Sequence, residues 1–227
     1  MPTFRRGHTT IAYTDTGAPA GREDAPVVLF AHGLLFSGWM FHPQIARLRD
    51  RYRCVTIDFR GQGNSPRALG GYDMDTLTLM DTAATAEEPA NRRKYRTLSA
   101  VYRVAGIRPV RSRVAPIMLA DANLDAPWVD EWMAMLERTD RAGLVKAIES
   151  VADRDPCEDE AIRIIAPTLV VVGAEDAATP PEKSRRLVEL IADSRYREIP
   201  GAGHSPTLER PEEVTTILEA FLSEYDM

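Results

Sequence analysis

The chain has 227 residues, of which 44% are hydrophobic and 27% charged, with 34 acidic against 28 basic side chains and a net charge of −6. That balance is globular rather than disordered, collagenous or coiled-coil, and it lacks the basic excess a dedicated nucleic-acid binder needs for phosphate contacts. The two cysteines, Cys54 and Cys157, cannot frame a disulfide scaffold, so a reducing cytoplasm is expected.

No apolar run reaches the ~18 residues of a membrane span, and the opening MPTFRRGHTT has no apolar stretch behind its basic residues, against a secretory signal. Residues 5–13 read as a hairpin or meander. The continuous apolar run at 25–31 reads as a strand buried on both faces, ending at His32-Gly33. Ser37 is expected to cap a helix to about Leu48, and a second buried strand follows at 53–58. A short strand is expected at 77–82. Residues 87–166 carry apolar side chains at helical spacing, among them Trp128, Trp132, Met135 and Leu136, and predict a helical insertion over the sheet. Then come a strand at 167–173, a helix at 181–192, a short strand at 196–199 and a closing helix at 212–224. Strands alternating with helices at both ends predict an α/β fold with a mostly parallel sheet.

Four stretches at strand ends carry the chemistry. They are His32-Gly33-Leu34-Leu35; Asp58-Phe59-Arg60-Gly61-Gln62-Gly63-Asn64-Ser65; Val172-Gly173-Ala174-Glu175-Asp176; and Gly201-Ala202-Gly203-His204. Together, and in this order, they resemble the α/β-hydrolase superfamily, most closely enzymes of the 3-oxoadipate enol-lactonase type. The resemblance implies a catalytic acid at Asp176 and a catalytic histidine at His204. It also implies oxyanion or substrate-binding backbone at Gly33 and Leu34. The order acid then histidine, 28 residues apart, fits the family's Ser…Asp…His sequence. Glu175 beside Asp176 leaves the choice of acid to the resemblance alone. His32 is read as a structural histidine under its turn, and Asp58 and Ser65 as loop-holding residues. Gly61-Gln62-Gly63 lacks the third glycine and the helix of a dinucleotide fingerprint. The four histidines show no metal-ligand spacing. Neither metal nor cofactor is expected.

The family's nucleophile belongs in G-x-S-x-G, and the sequence has no such motif. None of Ser37, Ser65, Ser99, Ser112 and Ser150, the serines before Asp176, has glycine at both flanking positions; neither cysteine does. The chain reads as a hydrolase from which a helix–strand–helix unit of about 45 residues has been removed near Thr76; alternatively, residues 75–88 are the first helix and the junction lies later. The strands at 27–31 and 77–81 would then have to pair directly, across a connection of 18 residues that can reach ~55 Å.

The organisation expected is residues 1–86 and 161–227 as the two parts of one core, with 87–160 as a helical cap, one central strand and its flanking helices being absent. Lost covering helices would expose apolar sheet, predicting self-association. The function implied is hydrolysis of a small-molecule ester or lactone, impaired or abolished by the absent serine. Two rivals are a non-catalytic binder of a small molecule or protein and a relative of another reaction type, such as a dehalogenase or cofactor-free oxygenase. No nucleic-acid or membrane partner is expected. Residues 91–113 hold eight basic residues, Arg96 and Arg103 among them, and no acid. They form either a solvated helix face or a lid drawing anionic substrates.

Overall fold

The computed structural model describes residues 2–6, 9–33, 36–58 and 76–225. Leu34 and the turn that follows Asp58, including Ser65, lie outside them. In chain order the elements are β1 (Thr3–Arg6), β2 (Thr9–Asp15), β3 (Val27–Ala31), a 3-10 turn (Gly38–Phe41), α1 (His42–Leu48), β4 (Arg53–Ile57) and β5 (Leu77–Met80). A helical stretch follows, with α2 (Pro89–Ala105), α3 (Arg111–Met118), α4 (Pro127–Arg138), α5 (Arg141–Ala152) and α6 (Glu158–Ala161). The chain ends through β6 (Thr168–Gly173), α7 (Pro181–Leu190), β7 (Ser194–Ile199), α8 (Pro206–Glu209) and α9 (Pro211–Ser223). This is the expected α/β architecture, and the strand at Leu77–Met80 removes the alternative of a first helix at 75–88.

Ser37 precedes its helix but makes no side-chain cap bond. Instead the Asp58 carboxylate accepts the Gly38 N–H at 2.8 Å, because the end of β4 lies against the turn so closely that a Cβ on Gly38 would come within 2.5 Å of Thr56 Oγ1. A buried carboxylate is the stronger acceptor, and it does the capping work predicted for the serine.

Among the described residues the strands form two sheets rather than one. A four-stranded sheet runs β1-β2-β4-β3, and a three-stranded parallel sheet runs β5-β6-β7. β3 and β4 are parallel, whereas β2 enters antiparallel. The direct pairing of β3 with β5 expected from the sequence does not occur: among the described residues each is an edge strand of its own sheet. The two half-sheets are joined through the helix layer. α1 packs on α9, Arg47 pairs with Glu219 at 2.6 Å, and buried Gln44 donates from Nε2 to the Thr207 carbonyl at 3.1 Å.

β6 is buried at every residue, as its valine run predicts for a strand covered on both faces. Leu169 and Val171 pack with Val214, Leu218 and Phe221 of α9; Val170 packs on the opposite side with Leu187 and Ile191. β3 is covered on one face only. Phe30 is buried in the large cluster that includes Trp132 and Tyr52, whereas Val27 and Leu29, on the other face, are 59% and 40% exposed. Among the described residues, no helix is long and apolar enough to cross a membrane.

The Gln44 bond across the α1–α8 boundary is fully buried, so its loss leaves a carbonyl without a partner. Gln44→Ala is expected to lower stability by about 2 kcal/mol, read as a fall in the urea midpoint at unchanged slope.

Candidate active site

The carboxyl ends of β6 and β7 are tied together by backbone. Ala174 N donates to Ile199 O and Glu175 N to Ala202 O, both at 2.9 Å. The contact admits no side chain: a Cβ on Gly173 would lie 2.0 Å from the Gly203 carbonyl oxygen, and one on Gly203 would lie 2.6 Å from Ala120 N. Glycine at these two positions is what lets the acid-bearing and histidine-bearing turns touch.

Asp176 sits in this junction with its side chain wholly buried. Its Oδ1 accepts the N–H groups of Ala178 at 2.8 Å and Thr179 at 2.9 Å. Its Oδ2 accepts the Thr179 hydroxyl at 2.8 Å and Nδ1 of His204 at 2.8 Å. A carboxylate only accepts, so Nδ1 carries the proton and Nε2 is left as the basic nitrogen. Glu175 is exposed; of the two adjacent acids it is Asp176 that meets His204. Burial by itself pulls the His204 pKa down. The Asp176 hydrogen bond and the charges of Asp176, Asp81 and Glu209 outweigh it and hold the pKa above the ordinary value.

Two residues that the motif reading missed complete this site. Glu209, 6% exposed, accepts from Ala120 N at 2.8 Å and Asn123 Nδ2 at 2.7 Å through Oε2. Through Oε1 it accepts from Gly203 N at 2.8 Å and Ser205 N at 3.2 Å. It therefore grips both sides of His204 and ties them to the loop before α4. Burial nonetheless leaves its pKa raised despite these four donors. The second is Asp81, at the end of β5, whose carboxyl lies beside both Asp176 and His204. Its signal was legible: an acid at the carboxyl end of a parallel strand, where sites of α/β sheets assemble. For Glu209 no local signal existed, because its partners include Ala120 and Asn123, more than 80 residues away in the chain.

One ligand atom each from Asp81, Asp176 and His204 lies within 4.8 Å of the others, the group among the described residues with spacing suited to a cation. Nδ1 of His204 and both Asp176 oxygens are already engaged in hydrogen bonds, so the trio is built as a proton network.

The remaining predicted residues are placed elsewhere. His32 is 1% exposed and donates from Nδ1 to its neighbour's carbonyl, Gly33 O, at 2.7 Å; burial lowers its pKa against the opposing effects of that bond and of Asp58. Gly33 is an exposed residue at the end of β3, on the other half-sheet from the Asp176–His204 pair. Four of the eight basic residues of the run make ion pairs: Arg96 with Asp153 at 2.8 Å, Arg103 with Glu149 at 2.5 Å, Arg108 with Glu137 at 2.6 Å and Arg111 with Asp130 at 2.5 Å. These exposed pairs link α2 to the end of α5, and the turn after α2 and the start of α3 to α4.

Comparison with known proteins places these features in a family context. A model described as the alpha/beta hydrolase fold matches residues 26–96, and one described as the alpha/beta hydrolase family matches residues 83–217. A Mycobacterium tuberculosis protein named as a non-heme bromoperoxidase, BpoC, is 27% identical over 259 residues, covering 94% of this chain and 97% of its own. The 3-oxoadipate enol-lactonase 2 of Acinetobacter baylyi is 23% identical over 250 residues, covering 92% and 93%. Both alignments are longer than the 227 residues of this chain, so each relative holds residues that have no counterpart here. Among solved structures, the enol-lactonase from Burkholderia xenovorans LB400 superposes with a TM-score of 0.84 at 22% identity, covering 98% of this chain and 100% of that one. A thermophilic esterase from Thermogutta terrifontis gives 0.81 at 24% identity, covering 96% and 95%.

Two measurements check the geometry. Because the His204 pKa is raised on folding, its pairing contributes stability that is fully present below about pH 6.5 and fades as pH rises through the higher folded value. Histidine ring NMR should titrate His204 above 6.5 and His32 below it. Glu209→Ala removes one acceptor from four donors and is expected to cost about 3 kcal/mol in chemical denaturation.

Proposed function

The chain belongs to the alpha/beta hydrolase family, and from that premise we propose that it is a core of the ester- or lactone-hydrolysing type that keeps the acid–base half of the site and lacks the nucleophile. The observation that carries this reading is the 2.8 Å bond from His204 Nδ1 to buried Asp176 in a sequence without G-x-S-x-G. The division of the sheet at β3 and β5 and the alignments that exceed the chain's own length support loss of a helix–strand–helix unit between Thr76 and Leu77. Residues 87–160 serve as the cap, 1–86 and 161–227 as the core, and Gly33 with Leu34 as the remaining oxyanion backbone.

In this arrangement Asp176 fixes the imidazole tautomer and His204 Nε2 can take a proton from water. No acyl-enzyme forms, since no hydroxyl stands in the elbow. The N–H that follows the nucleophile is lost with it, and one oxyanion donor is worth ~10²–10³ in rate. Substrates are small esters or lactones, the classes in the names of the enol-lactonase and esterase relatives. The uncovered face of β3, with Val27 and Leu29 exposed, favours self-association.

A fluorophosphonate probe should leave the native chain unlabelled. Inserting a family helix–strand–helix unit bearing G-x-S-x-G between Thr76 and Leu77 should create labelling and turnover of an activated acetate. Labelling of the native chain would overturn the reading. For the exposed face, sedimentation velocity should show a weight-average mass that rises with concentration, and Val27→Ser with Leu29→Ser should reduce that rise; a concentration-independent monomer would refute it.

A further inference from the structure

Asp81 is held in an unusual way for a strand end. Its φ of +47° lies in the left-handed region, which costs a non-glycine residue of order 1 kcal/mol. Two bonds to β6 fix it there: its own N–H donates to Val171 O at 3.0 Å, and its Oδ1 accepts the Gly173 N–H at 3.0 Å. One carboxyl oxygen is thereby anchored, and the carboxyl lies within 4.8 Å of both a carboxyl oxygen of Asp176 and a ring nitrogen of His204. Two carboxyl groups in such contact do not both ionise readily, since like charges a few ångströms apart in a shielded site repel strongly.

We propose that Asp81 is a second acid behind His204: it shares one proton with Asp176, and it becomes the imidazolium's counter-ion when the charge of Asp176 is removed. This rests on reading Asp176–His204 as the acid–base pair, not on turnover by this chain. The protons balance as follows. In the resting site His204 is neutral and the two carboxyls hold one proton between them, for one net negative charge. When Nε2 accepts a proton the cluster becomes neutral without moving any proton between the carboxyls. When Asp176 is made neutral, Asp81 releases its proton to solvent and restores one negative charge beside the ring.

Burial and the neighbouring Asp176 charge raise the Asp81 pKa, against the opposing influence of His204 and the Gly173 N–H. The other charged or titratable groups around the cluster are Glu209 from α8, which acts on His204, and Tyr95 from α2, which acts on Asp176. Behind Tyr95 lie Glu87 and Arg154, and Glu87 also pairs with Lys183 of α7. Burial pushes the Tyr95 phenol up to about 12, so Tyr95 stays uncharged near neutrality. A purely structural role, in which Asp81 only accepts the Gly173 N–H, is equally served by the amide oxygen of asparagine.

The test follows His204 by ring NMR in the full chain, native and as Asp81→Asn, Asp176→Asn and the double variant. In Asp176→Asn the His204 midpoint should stay at or above the ordinary histidine value. In the double variant it should fall at least about one pH unit lower, because burial is then opposed by Glu209 alone. Equal midpoints in Asp176→Asn and the double variant would overturn the proposal. If the Asp176 variants fail to fold, the infrared difference spectrum of native minus Asp81→Asn at pH 7 decides the matter. A carbonyl band of un-ionised acid supports the shared proton, and its absence refutes it. Neither readout needs turnover, so failure of the hydrolase reading leaves this result interpretable.

Discussion

The approach of Gly173 to the carbonyls of Ala202 and Gly203 is the contact on which the site depends. A side chain at either glycine would force the ends of β6 and β7 apart, and with them Asp176 and His204. The buried valines of β6 fix where that strand ends, and packing on α9 and α7 fixes its depth. The chemistry of the pair is thus the last step of a packing argument. Hydrophobic burial sets the strand, glycine permits the close approach, and backbone hydrogen bonds lock it before any side chain of the site is considered.

The rest of the molecule is organised differently. Joined strands transmit position through their ladder, but β3 and β5 share no ladder. The N-terminal half-sheet is positioned by α1 against α9 and by the buried Gln44 bond to α8. Helix contacts are non-directional by comparison with a ladder, so the relation between Gly33 and the Asp176–His204 pair has fewer fixed constraints than the relation between Asp176 and His204. The same division leaves β3 with one face in the core and one face open, an arrangement an ordinary α/β sheet avoids by covering both faces with helices.

Much of this was legible from residue patterns because the informative stretches are local. A valine run ending in glycine marks a doubly covered strand, and Gly-Ala-Gly-His announces a tight turn presenting a histidine. What escaped the sequence reading was assembled from distant pieces. Glu209 gathers donors at Ala120, Asn123, Gly203 and Ser205, a convergence that spacing along the chain does not encode. Ser37 had the right type for a cap, but it is the distant Asp58 that accepts the open N–H. The expectation that β3 and β5 would meet rested on the reach of the connecting loop alone, and reach permits a pairing without requiring it. The run of basic residues had two readings in sequence, and which of its members meet acids of α4 and α5 was not encoded in their spacing.

The acid, the base, the glycines between them and the clamp on His204 all come from residues 168–210, with Asp81 of β5 reaching in from the neighbouring strand of the same half-sheet. None of the hydrogen bonds printed for Asp176, His204 and Glu209 draws on a residue before Leu77. The geometry of the pair is therefore set within the C-terminal part of the chain, by burial and by the four donors on Glu209.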